Sequence, residues 1–96
     1  MVKKAEKIWM DGELLPWDEA NVHVLTHTLH YGLGAFEGIR AYERADGRVQ
    51  IFRLRDHIQR LIDSARLMTM RVPFGLEDLM EACKETLRAN GQKSAY

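Results

Sequence analysis

Two Asp-Gly pairs, at 11–12 and 46–47, constrain the fold more than any other feature of the chain. The first lies between Lys7-Ile8-Trp9-Met10 and Glu13-Leu14-Leu15, the second between a run from Ala35 to Tyr42 and Val49-Gln50-Ile51-Phe52. Asp-Gly accepts the positive φ angles of a tight turn, so each pair reads as the bend of an antiparallel hairpin. Pro16 closes the second strand, since it has no N–H to give a ladder. Behind the hairpins the apolar period changes. Ile58, Leu61, Ile62 and Ala65 recur at three-and-four spacing, and so do Leu76, Leu79, Met80, Cys83 and Leu87. This predicts one helix from Asp56 to about Leu67 or Met68 and another stopping at Asn90-Gly91, with Pro73 and Gly75 breaking the chain between them. Lys93 to Tyr96 opens a further extended piece. Strand pairs followed by helices predict an α+β fold, a two-layer arrangement of a mainly antiparallel sheet with two helices on one face.

The segment joining the hairpins is unlike ordinary filler. Trp17 to Ala20 reads as a turn, Val22 to Leu25 as a brief extended piece, and Thr26 as the cap of a single helical turn through His30. His27 to Arg40 then carries three of the chain's seven glycines, at 32, 34 and 38, beside Tyr31, Phe36 and Arg40. Glycines at that density cost chain entropy, and they allow positive φ or close approach to the backbone. A glycine-bent connection entering a strand, with Tyr31, Phe36 and Arg40 displayed along it, is the expectation.

Charge narrows the partners. Lys and Arg together number 14, as do Asp and Glu, so the chain has no net charge with which to gather nucleic acid or an anionic membrane. Small molecules or proteins are the expected partners. Cys83 alone cannot form an internal disulfide and fits a reducing compartment. No apolar run approaches the roughly 20 residues of a membrane span, and the basic start lacks the apolar core of a secretory signal. A cytoplasmic protein is expected.

The words His30-Tyr31-Gly32-Leu33-Gly34-Ala35-Phe36-Glu37-Gly38-Ile39-Arg40-Ala41-Tyr42, then Phe52-Arg53-Leu54-Arg55-Asp56-His57-Ile58-Gln59-Arg60-Leu61, and last Ser94-Ala95-Tyr96 resemble the opening third of a branched-chain amino acid aminotransferase. These belong to the fold-type IV class of pyridoxal phosphate (PLP) enzymes. The likeness covers nearly all 96 residues. D-amino-acid aminotransferases and aminodeoxychorismate lyases share the scaffold and remain alternatives, as does a freestanding binding or interaction domain.

The resemblance implies roles residue by residue. Arg60 is expected to hold the cofactor phosphate, for which a planar, permanently charged guanidinium is suited. It lies roughly opposite the apolar stripe of its helix, where the plainer reading is a surface pair with Asp56 one turn earlier. Tyr31, Phe36, Gly38, Arg40 and Tyr96 are expected to bind substrate, Tyr31 near a subunit boundary. For Tyr31 and Phe36 the plainer reading is core packing, and for Arg40 a cross-strand pair with Glu43. His23, His27 and His30 have a spacing that suggests zinc, but the extended start and Gly32 argue against one helix face. They read as structural histidines, with no metal expected.

Cys83 falls in an apolar stripe and reads as a small buried hydrophobe. No catalytic residue is expected within the chain. Transamination requires a desolvated lysine that bonds PLP and moves a proton, whereas Lys3, Lys4, Lys7, Lys84 and Lys93 stand in polar surroundings. The expectation is an incomplete N-terminal small domain, inactive alone. Its parent would be a homodimer that exchanges amino groups between branched-chain amino acids and 2-oxoglutarate.

Overall fold

A computed structural model describes residues 3–96. It contains two separate two-stranded antiparallel hairpins and two long helices. Strand β1 (Lys7–Met10) pairs with β2 (Glu13–Pro16), Met10 opposite Glu13 and Lys7 opposite Pro16. The expected bend is present: Asp11 and Gly12 both take positive φ, 52° and 99°. A short 3-10 turn, Trp17–Glu19, follows, and then the single-turn helix α1 (His27–Tyr31) after Thr26. Gly32 ends α1 in the left-handed conformation, φ 67°. Val22 to Leu25 does not pair as a strand; Val24 and Leu25 form a turn, because no second strand lies alongside among the described residues.

Strands β3 (Ala41–Glu43) and β4 (Val49–Ile51) make the second hairpin. Gly47, at φ 83°, turns the loop, and Asp46 accepts a hydrogen bond from the Arg48 N–H at 3.0 Å. Helix α2 covers Leu54–Leu67, two residues earlier at its start than expected. Its cap, Arg53, sits in the left-handed region at φ 50°, a conformation with no capping signature in the sequence. Helix α3 (Leu76–Asn90) agrees with expectation and stops at Gly91, φ 58°. The expected last extended segment contributes one bridge, Ala95 to Ala41.

The core is small and lies between α2 and the elements over it: Ala41, Leu54, Ile58, Ala65 and Ala82 are its buried apolar residues. Trp9 meets Phe74 edge to face at 5.1 Å, closing β1 over the linker before α3. The C-terminal end of α3 clips β1 in place. The Asn90 side chain accepts from the N–H of Glu6 and Lys7 and donates to the carbonyls of Lys7 and Thr86, all at 2.8–3.0 Å. The charged start of the chain is thus tied at Glu6; Met1 and Val2 lie outside the described residues.

Candidate functional site

Among the described residues the backbone from Ala35 to Ile39 has no ladder partner; the Arg40 carbonyl accepts from the Phe52 N–H at 2.9 Å, and of the strand expected from Ala35 to Tyr42 only the end from Ala41 is paired in register. It nevertheless keeps the parity of a strand. Ala35, Glu37, Ile39 and Ala41 turn inward, and Phe36, Gly38 and Arg40 face out. Parity places a carboxylate, Glu37, under the outer surface of α2, its side chain only 7% exposed.

Three donors converge on it. Arg60 donates from Nε to Oε2 and from Nη2 to Oε1, both at 2.7 Å, a bidentate fork. His57, one turn earlier on α2, contacts Oε1 through Nδ1 at 2.8 Å. These hydrogen bonds, Arg60's before His57's, hold the Glu37 carboxyl at about 2, well below the ordinary 4.5. A carboxylate so ionised can only accept, so Nδ1 of His57 carries its proton. Glu37 in turn raises the pKa of the Arg60 guanidinium, which stays charged throughout. Arg60 does not pair with Asp56, as the plainer reading had it. Asp56 is taken by Arg53, whose Nε donates at 2.8 Å. Arg60 keeps its outer edge open, 67% exposed, on a cleft of about 230 Å³ shared with Arg53, Asp56 and His57.

A second cluster forms on the outward face. The Arg40 guanidinium lies 4.9 Å from the centre of the Tyr96 ring. A Cβ placed on Gly38 would stand 2.6 Å from the Tyr96 hydroxyl, so the ring covers Gly38 where only glycine fits. The bridge between Ala95 and Ala41 sets this meeting. The alternative pair of Arg40 with Glu43 is not formed; Glu43 faces Lys93 at 3.6 Å. Phe36, on the same face, is 87% exposed and Tyr31 is exposed at the end of α1, beside His27 and His30. Neither belongs to the core these residues form. Neither is brought onto the Arg40–Tyr96 pair.

Of His23, His27 and His30, two have local hydrogen-bond partners, and His27 lies against the Tyr31 ring. His23 Nδ1 accepts from the Leu25 N–H at 3.0 Å, and His30 Nε2 meets the Val24 carbonyl at 2.6 Å. Cys83 is half-buried on α3, and burial pushes its thiol pKa up, which suits packing rather than reactivity.

With this geometry in view, likeness to known proteins settles the family. The family model for class IV amino-transferases matches residues 34–96. The chain belongs to that family. A class IV relative, the branched-chain-amino-acid aminotransferase of Pseudomonas aeruginosa, is 52% identical over 89 residues, which are 93% of this chain and 29% of the relative. The crystal structure of the Escherichia coli branched-chain amino acid aminotransferase superposes with a TM-score of 0.93 at 47% identity, over 97% of this chain and 30% of that one. A third, the T.th. branched-chain amino acid aminotransferase solved in complex with N-(5'-phosphopyridoxyl)-L-glutamate, gives a TM-score of 0.91 at 52% identity, over 95% of this chain and 30% of that one. The chain thus spans about 30% of the length of the class IV proteins it matches, and its two antiparallel hairpins and two helices are the α+β small domain of the fold-type IV scaffold.

Two members of the site escape sequence reasoning, Glu37 and His57. The signal was present: in Ala35 to Ala41, Glu37 is the one charged residue at the small or apolar inward positions, and His57 precedes Arg60 by one helical turn.

Proposed function

We propose that residues 1–96 are the N-terminal small domain, incomplete by itself, of a cytoplasmic, homodimeric branched-chain amino acid aminotransferase that uses PLP. The large domain bearing the reactive lysine comes from residues outside this sequence, and these 96 residues alone are inactive. The observation that carries the reading is Arg60, locked at two donors by a shielded carboxylate while its outer edge remains open.

The donor set fits a phosphate. Nη1 and the second N–H of Nη2 on Arg60 remain to donate, with Arg53 and His57 beside them on the cleft. When bound, PLP supplies the electron sink on which amino-group transfer depends. The chain's own residues then position and enclose. Arg60 holds the phosphate. Gly38 lets the Tyr96 ring lie against the backbone, Arg40 offers positive charge to a substrate carboxylate, and Phe36, Tyr31 and Tyr96 supply ring faces for an aliphatic side chain.

Surface area supports an incomplete body. The chain exposes 7685 Å², whereas a self-contained monomer of 11.1 kDa exposes only about 5,700 Å². Val22, Val24, Leu25, Leu29, Tyr31 and Phe36 are among the large apolar side chains left exposed.

The test is a chimera in which this chain replaces the matching segment of the Pseudomonas aeruginosa relative. It should transaminate leucine, isoleucine or valine with 2-oxoglutarate, and Arg60→Ala should lower affinity for PLP while leaving that for unphosphorylated pyridoxal little changed. A folded chimera active only on D-alanine, or one in which Arg60→Ala weakens both vitamers alike, refutes the reading.

A further inference from the structure

The geometry points to Glu37 as the positioning residue for the anion-holding arginine: it fixes the Arg60 guanidinium by Nε and Nη2 so that the opposite edge faces the phosphate. This rests on the reading that Arg60 holds a phosphate, and it assigns a role to a residue that touches neither cofactor nor substrate.

The first support is comparative burial. Every other carboxylate paired with a cation among the described residues is at least 42% exposed, while Glu37 is 7%. Exposed pairs add little stability, and shielding a carboxylate carries a desolvation cost that pairing only offsets. Stability alone therefore gives no reason to put this carboxylate beneath an arginine; orientation does. Geometry is the second support. A flexible arginine has several torsions to order when an anion arrives, and a two-point fork from a residue on another element orders them beforehand. His57 adds a third contact to the same carboxylate, on Oε1, so that the fork itself cannot rotate. Parity is the third. Glu37 is the inward neighbour of outward Phe36 and Gly38, so the same backbone that shapes the outer face sets the fork.

Coulomb attraction and positioning predict opposite signs for Glu37→Gln, and that separates them. Removing a negative charge near the anion should tighten phosphate binding if field alone matters. It should weaken binding if the fork matters. Side-chain NMR of Arg60 at pH 7 in the chimera with the Pseudomonas aeruginosa relative, freed of cofactor and titrated with inorganic phosphate, reads both. With Glu37 in place the Nε–H should be protected from exchange, and phosphate should shift the Nη signals. In Glu37→Gln, with core methyl signals of Leu54 and Ile58 unchanged, Nε–H should exchange rapidly and the apparent phosphate affinity fall about 10-fold, the scale on which removing a partner that orients a ligating side chain acts.

Affinity in Glu37→Gln equal to or tighter than native overturns the positioning role and leaves Arg60's own role standing. No response of native Arg60 to phosphate overturns both. If Glu37→Gln does not fold, Glu37→Asp serves, keeping the charge while shortening the reach: a weakened response supports the fork, a native one overturns it.

Discussion

Gly38 and Gly47 invite opposite substitutions whose outcomes separate crowding from backbone strain. At Gly38 the φ angle is not in the left-handed region, so alanine is tolerated by the backbone and lowers the entropy of the unfolded chain, a gain of about 0.4 to 1 kcal/mol. Its Cβ, however, would stand 2.6 Å from the Tyr96 hydroxyl, against 3.4 Å for an ordinary contact, so the ring must withdraw. Withdrawal forfeits the Arg40 contact, worth about 0.5 to 1 kcal/mol at an exposed site. The two effects cancel. Gly38→Ala is expected to leave stability within about 0.5 kcal/mol of native while abolishing the ring-current shift of the Arg40 side chain. At Gly47 nothing lies within 4 Å of an added Cβ, but φ is +83°; Gly47→Ala should cost about 1 to 2 kcal/mol from conformation alone. Urea unfolding and proton NMR on both variants test this. Unchanged Arg40 shifts in Gly38→Ala, or equal stability losses in the two variants, would refute the reasoning.

The Glu37 carboxyl, held at about 2 against an ordinary 4.5, contributes stability above pH 4.5 that is lost as pH falls from there towards 2, because the unfolded chain takes up the proton first. Urea midpoints measured across that window should fall more gently in Glu37→Gln than in native protein; parallel curves would contradict the pairing. Asn90→Ala removes four hydrogen bonds, three of which clip Glu6 and Lys7 to α3 while the fourth lies within the helix. With Lys7 only half-buried, the expected loss is about 1 to 3 kcal/mol, and a loss under roughly 0.5 kcal/mol by denaturant melts would show that the clip is dispensable. Ile58, 3% exposed, anchors α2, and Ile58→Ala should cost roughly 2 to 3 kcal/mol in the same melts, where a near-neutral result would mean that α2 is not held by this core.

Local signals were the legible ones. Asp11-Gly12 marked its bend because both residues need positive φ, and α3 was marked at both ends by Gly75 and Gly91. The start of α2 was misread, since Asp56 is an acid in the first turn and the cap is Arg53 in a left-handed conformation that any side chain can hide. Val22 to Leu25 looked extended by composition, but a strand is defined by its neighbour, and none lies beside it among the described residues. For the site, the outward set was legible, and the structure joins Gly38, Arg40 and Tyr96 into one cluster. The partner of Arg60 lay 23 residues away. Spacing along one helix pointed to Asp56, and only the packing of two elements could redirect it to Glu37.

The site therefore depends on parity more than on any single residue. Between Ala35 and Ala41 one extended run serves two purposes at once: its odd-numbered positions pack on α2 and fork Arg60, and its even-numbered positions meet Tyr96 and open to the outside. A side-chain period of two means that shifting the run by one residue exchanges the faces. Glu37 would then point away from α2, Arg60 would lose both of its fixed donor contacts, and Phe36 or Gly38 would be turned onto the helix. The glycines flanking the run supply the bends, but the pleat itself keeps the anion clamp and the outer pocket face from being built independently. A substitution on one face can leave the other intact, whereas an insertion cannot.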